Sequence, residues 1–147
     1  MKKSPLKKSK KKLSKKSKNP VSECKDRIQD LLRALAIKIY GGCVLRHFPV
    51  AGACSGYKKD GTLILQAEHL VSRTRSISYG DMRNIVCLCR GHHGFWKPQN
   101  SRLYWKLIAE HIGKKRMDWI DRVEADHKAY PMSLQDWLKI EIALFKE

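Results

Sequence analysis

Cys89 and His92, three residues apart in Cys-Arg-Gly-His, constrain this chain more than any other feature. That spacing turns a thiolate and an imidazole toward one point, which is half of a tetrahedral zinc site. Any fold the chain adopts must carry a second pair of ligands to the same place. The segment from Gly42 to Tyr57 supplies the candidates, Cys43, His47 and Cys54, on a loop punctuated by Gly and Pro. Thiolates suit a structural zinc, and Cys54-Ser55-Gly56 resembles the second half of a zinc knuckle. The expected set is therefore Cys43, Cys54, Cys89 and His92, with Cys43–His47 as the competing pair. A closed set of four leaves no open position for a substrate, so this metal is expected to be structural.

The cysteine count agrees. Five cysteines, an odd number with histidines interleaved, fit metal binding in a reducing compartment better than a disulfide framework. The formal charge of +17 points to a polyanionic partner. No apolar run is long enough for a membrane span, and the basic N-terminus has no apolar h-region, so a cytoplasmic protein is expected. Residues 1–20 form a lysine- and serine-rich tail without an acidic residue, expected to be disordered and to slide on phosphates. The remainder, 21–147, is long enough for one domain with a modest core.

Within that domain Ser22 is the expected N-cap of a first helix, whose apolar stripe runs Ile28, Leu31, Leu32, Leu35, Ala36 and Ile39 and which ends at Gly41-Gly42. Its role is read as packing, with Cys24 near its polar side. Asp60-Gly61 marks a turn, Thr62 to Glu68 a strand, and Ile85 to Leu88 a second strand. Alternation places Cys87 and Cys89 on one face, with only Cys89 at ligand distance from His92. Pro98 is expected to stop the helix that follows Gly91. Over 100–147 the pattern predicts three more helices, the last opened by Ser133 with Asp136. Trp105, Trp119 and Trp137 are read as core residues.

The stretch from Leu65 to Lys97 also carries His69, Asn84 and His93, with Glu68 directly before the first and Cys89-x-x-His92 directly before the last. In order and spacing these residues resemble the motif of the HNH endonucleases. The resemblance implies an α+β fold: a ββα-metal core over 43–97, with a zinc-bound loop, flanked by an N-terminal helix and a helical part over 100–147. It implies that His69 is the general base, that Glu68 and His93 hold a catalytic Mg²⁺ or Mn²⁺, and that Asn84 pins the loop between the strands. Many family members have Cys-x-x-Cys where this chain has Cys89 and His92, and zinc accepts either ligand. Order alone leaves His92 and His93 hard to tell apart. The register gives zinc to His92 and the catalytic ion to His93.

The run Asn100-Ser101-Arg102-Leu103-Tyr104, with Leu107, Ile108 and Gly113, resembles the segment after the Cys/His cluster in NinG/Rap recombination nucleases. Intact Cys-x-x-Cys pairs are missing here, and Glu68 stands where those proteins tend to have a small residue. This likeness implies a phage setting and branched DNA. The expected partner is DNA, with RNA the competing polyanion and Arg73, Arg75, Arg90 and Lys97 the candidate contacts. The alternative of a different class is a noncatalytic, zinc-dependent nucleic-acid-binding protein, which needs neither Glu68 nor His69.

Overall fold

The computed structural model describes residues 19–126 and 130–147. The tail expected over 1–20 lies almost wholly outside them. The fold is α+β: a long N-terminal helix, a two-stranded antiparallel hairpin and C-terminal helices. Helix α1 (Pro20–Tyr40) starts earlier than the Ser22 cap predicts. Asn19 is the N-cap and accepts from the Val21 N–H at 2.9 Å, and Pro20 fits the first turn because its missing N–H would have no partner there. Gly41 closes the helix in the left-handed region at φ 61°.

Strands β1 (Leu65–His69) and β2 (Ile85–Cys89) pair from Leu65↔Cys89 to His69↔Ile85. The residues before Leu65 make only an isolated bridge, Tyr57↔Leu63, so the first strand is shorter at its start than expected. β2 is buried along its whole length, which its unbroken apolar run requires. Ile85 and Cys87 face a cluster with Ile28, Leu32 and Trp137 of α1 and α5 (Leu134–Leu144). Val86 and Leu88 face a second cluster with Tyr104, Ile108 and Ile120 of α3 (Ser101–Ile112) and α4 (Lys114–Ala125). The hairpin is thus a partition between two small cores.

That partition corrects the expected pairing of Cys87 with Cys89. Cys87 packs toward α1, whereas Cys89 joins the α3 side. The reason is local: Cys89 is the last strand residue, the chain is helical from Arg90, and strand alternation no longer applies. Cys24 is fully buried on the inner face of α1, not near its polar side, and donates to Glu141 at 3.3 Å. Glu141 also accepts from Arg27 at 2.5 and 2.9 Å, so the α1–α5 seam holds a paired carboxylate. Ile39 is exposed, because the stripe outruns the surface it packs on. Of the tryptophans, Trp137 is buried, Trp119 packs partly against the α3 core, and Trp105 is exposed.

Pro98 does not stop the helix after Gly91. A π-helical turn, His92–Trp96, runs into the short α2 (Lys97–Gln99), and Pro98 sits within it. The widened turn is closed by the Lys97 N–H donating to the His92 carbonyl. Arg116 of α4 donates to the Arg83 and Ile85 carbonyls, each at 2.6 Å, and to the Tyr40 hydroxyl at 2.7 Å, which ties the entry of β2 to α1 and α4. Ser133 and Asp136 make the reciprocal capping box expected at α5.

Leu32 has no exposed surface and lies in the core that seats α1 on the hairpin. Leu32→Ala should lower unfolding free energy by about 2–5 kcal/mol through lost transfer energy and a residual cavity. Urea denaturation checks this, and a change below about 0.5 kcal/mol would mean α1 is not seated there.

Candidate metal centre and adjoining cleft

Cys43, Cys54, Cys89 and His92 converge: one ligand atom from each lies within 4.8 Å of all the others. Three segments supply them. Cys43 follows the end of α1 and opens a 3₁₀ turn (Val44–His47), Cys54 follows a second such turn (Pro49–Ala51), and Cys89 and His92 flank the turn from strand to helix. The Sγ atoms of Cys89, Cys43 and Cys54 lie 3.2, 3.3 and 3.8 Å from His92 Nδ1. A tetrahedron with legs of about 2.0–2.3 Å has edges of about 3.6 Å, so the group has the dimensions of a structural zinc site.

The tautomer of His92 follows from its other nitrogen. Nε2 lies 3.0 Å from the Ala51 carbonyl, which can only accept, so Nε2 carries the hydrogen and Nδ1 offers its lone pair to the group. The His92 N–H also donates to Cys89 Sγ at 3.4 Å. Close backbone approach makes this possible. Gly91 donates to the Ser55 carbonyl at 3.0 Å, and a Cβ on Gly91 would meet Ser55 Oγ at 1.9 Å. Gly56, at φ +90°, packs against Arg90, where a Cβ would come within 2.6 Å of that side chain. Cys54 rather than His47 completes the set, since His47 is exposed and accepts from Arg46 at 3.2 Å. Burial pushes the Cys43 thiol up to about 12, outweighing a backbone hydrogen bond from Cys89, and burial raises Cys54 as well. Without a cation these thiols keep their protons.

One residue on, His93 turns away from this group. Successive helical residues point about 100° apart, so the two histidines serve different partners. His93 Nε2 lies 2.8 Å from Glu68 Oε2. Glu68 is only 4% exposed, and its other oxygen pairs with Lys97. Burial pushes the Glu68 carboxyl up, but hydrogen bonds from His93 and Lys97 outweigh it, and the carboxyl ends below its ordinary value. The Lys97 ammonium also lies 5.0 Å above the Tyr104 ring centroid.

His69 lies beside Glu68 in β1. Its Nε2 is 3.1 Å from the Tyr79 carbonyl, which fixes the hydrogen there and leaves Nδ1 as the acceptor. Burial lowers the His69 pKa and outweighs the opposing Tyr79 bond, while nearby Arg73 lowers it further. The imidazole is therefore neutral at pH 7. Asn84 is fully buried in the connecting loop: it accepts from the Val71 N–H at 2.5 Å and donates to the Ser78 carbonyl at 3.0 Å.

Glu68, His69, His93, Lys97 and Arg73 line one cleft of about 510 Å³. Its opposite wall is α1, through Gln29, Asp30 and Arg33. These three were missed in the sequence because the apolar stripe of α1 explains the helix as packing. The signal available was the polar face at the same level. Of the other candidate contacts, Arg75 donates to the Glu124 carbonyl at 3.4 Å, and Arg90 is exposed beside Gly56, outside the cleft lining.

Glu68 and His93 form a carboxylate–imidazole pair at 2.8 Å, and among the described residues Cys43, Cys54, Cys89 and His92 are the group that converges as metal ligands do. Among the described residues no helix is long and apolar enough to cross a membrane. Comparison with known families, with curated proteins and with solved structures returns no match.

Metal binding at the four-residue group must release thiol protons. Reduced protein should hold about one zinc, with affinity falling as pH is lowered from about 8 to 6, and Cys89→Ser should abolish binding. Chelator competition at several pH values tests this. A pH-independent affinity, or full zinc content in Cys89→Ser, would rule out thiolate ligation.

Proposed function

We propose that the chain is a metal-dependent endonuclease of the HNH type, hydrolysing phosphodiester bonds in DNA. The observation that carries this reading is the convergence of Glu68, His69 and His93 on one cleft, beside a separate and closed Cys₃His group. In this reading zinc at Cys43, Cys54, Cys89 and His92 fastens the hairpin to the preceding loop. A Mg²⁺ or Mn²⁺ ion held by Glu68 and His93 would supply Lewis-acid stabilisation of charge on the phosphate.

The chain's own residues do the rest. His69 Nδ1 takes a proton from water as its oxygen bonds to phosphorus and the bond to the 3′ oxygen breaks. Neutral imidazole is the form required, and burial maintains it. Tyr79 aims the ring from behind, through its carbonyl and through ring contact at 5.3 Å. Asn84 holds the loop that carries Tyr79 against the start of β2. Arg73 lines the cleft as a phosphate partner, while Lys97 keeps Glu68 ionised.

One observation favours a second reading. Lys97 already neutralises Glu68 without any ion, as a structural pair would. Under that reading the chain binds nucleic acid through its +17 charge and zinc-held fold, and cuts nothing.

Purified protein offered linear, nicked, flapped and four-way DNA with Mg²⁺ or Mn²⁺ decides between them. Cutting is expected, and the preferred substrate tests the branched-DNA resemblance. His69→Ala should lower the rate roughly 10²–10⁴-fold while zinc content and DNA affinity stay unchanged. Divalent-independent behaviour with no cutting of any substrate would favour the binder. Wild-type cutting by His69→Ala would remove His69 as the base.

A further inference from the structure

The α1 wall of the cleft carries a cation that no motif accounts for. Arg33 is exposed, yet its guanidinium is fixed, with Nε donating to the Leu65 carbonyl at 2.8 Å. A guanidinium anchored through Nε presents its outer N–H groups in a defined direction, the geometry suited to a phosphate. Leu65 is the first residue of β1 and His69 the last. Arg33 therefore stands at one end of the strand, while Arg73, whose charge bears on His69, stands at the other. Four residue steps at about 3.3 Å separate those ends by about 13 Å. That is about four base-pair steps of duplex at 3.4 Å each.

The other charges in the cleft are assigned. Lys97 is paired with Glu68, and Asp30 adds a negative charge on the same wall as Arg33. Arg33 and Arg73 are thus the cations that flank the Glu68–His69–His93 centre from opposite sides.

We propose that Arg33 is a phosphate-binding residue, contacting the DNA backbone a few nucleotides from the phosphate at Glu68 and His69, with Arg73 holding the other side. The nucleic-acid strand then runs along β1 in the channel between α1 and the π-helical turn. This assignment rests on the cleft being a phosphodiester site and adds a determinant from a helix outside the motif.

The test uses the full chain in a His69→Ala background, so that binding to a labelled DNA duplex is read without cutting. Arg33→Gln keeps an amide donor for the Leu65 carbonyl and removes the charge. It should weaken binding about 10-fold at low salt and reduce the log–log salt slope by about 0.9, one phosphate contact. Arg33→Lys should keep the slope. Arg102→Gln, an exposed arginine away from the cleft, should change affinity less than about twofold. An Arg33→Gln effect no larger than that of Arg102→Gln overturns the assignment. A second measurement needs no variant: DNA should slow phenylglyoxal modification of Arg33 in wild-type protein, read by mass spectrometry, and unchanged reactivity also overturns it. If wild type cuts no DNA while Arg33→Gln loses the contact, the nuclease reading falls and this one stands. If His69-dependent cutting is present and Arg33 is neutral, the reverse holds.

Discussion

The joining of three separate chain segments at Cys43, Cys54, Cys89 and His92 is the constraint on which the rest depends. A two-stranded hairpin is marginal alone and needs packing on both sides or a staple. Here β2 has two thin cores against it, and the four-ligand group fastens its end to the loop before it. Without a cation burial holds the Cys43 thiol up at about 12 and raises Cys54 as well, and the group contributes little beyond apolar contact. A bound dication would convert it into a crosslink whose binding energy becomes folding energy.

The separation of His92 from His93 follows from where that crosslink sits. The chain leaves β2 at Cys89 and is helical at once, so His92 is committed to the thiols and His93 is rotated onto Glu68. The π-helical turn over the same residues widens the helix at this point, and Lys97 one turn later reaches the same carboxylate. A buried Glu68 with two cationic or proton-donating partners is in turn compatible with β1 lying beneath the helix. A lone buried carboxylate would cost several kcal/mol and would be displaced or protonated.

Much of this could be read from the sequence, where chemistry or local geometry dictated it. The Cys-x-x-His spacing, the capping box at Ser133 and the inner stripe of α1 through Ile28, Leu32, Leu35 and Ala36 are short-range signals, and the fold preserves them. The failures have local causes at Cys89 and Pro98 and tertiary ones at Trp105 and Cys24. The face of Cys89 depended on where strand gives way to helix. Trp105 is exposed, because α3 turns Tyr104, Leu107 and Ile108 inward instead. Cys24 was assigned to the polar side because Glu141, its buried partner, is 117 residues away. Pro98 reads as a stop, but its missing N–H falls at the second residue of α2, where π-helical bonding has just given way to α-helical.

The cleft was the least legible feature, and the reason is general. A motif names residues on one wall, but a cleft needs a second wall, and here that wall is a helix whose sequence reads as packing. The stripe fixes the inward face of α1 and thereby fixes which residues remain on the outer edge beside β1: Gln29, Asp30 and Arg33. Because Arg33 bonds the Leu65 carbonyl, the wall is registered to the strand by a backbone atom rather than by a side chain. Any substitution at Leu65 that leaves the strand intact preserves that register, and any shift of α1 along the hairpin loses it. The packing that reads as structural in α1 is therefore also what places its charge relative to Glu68, His69 and His93.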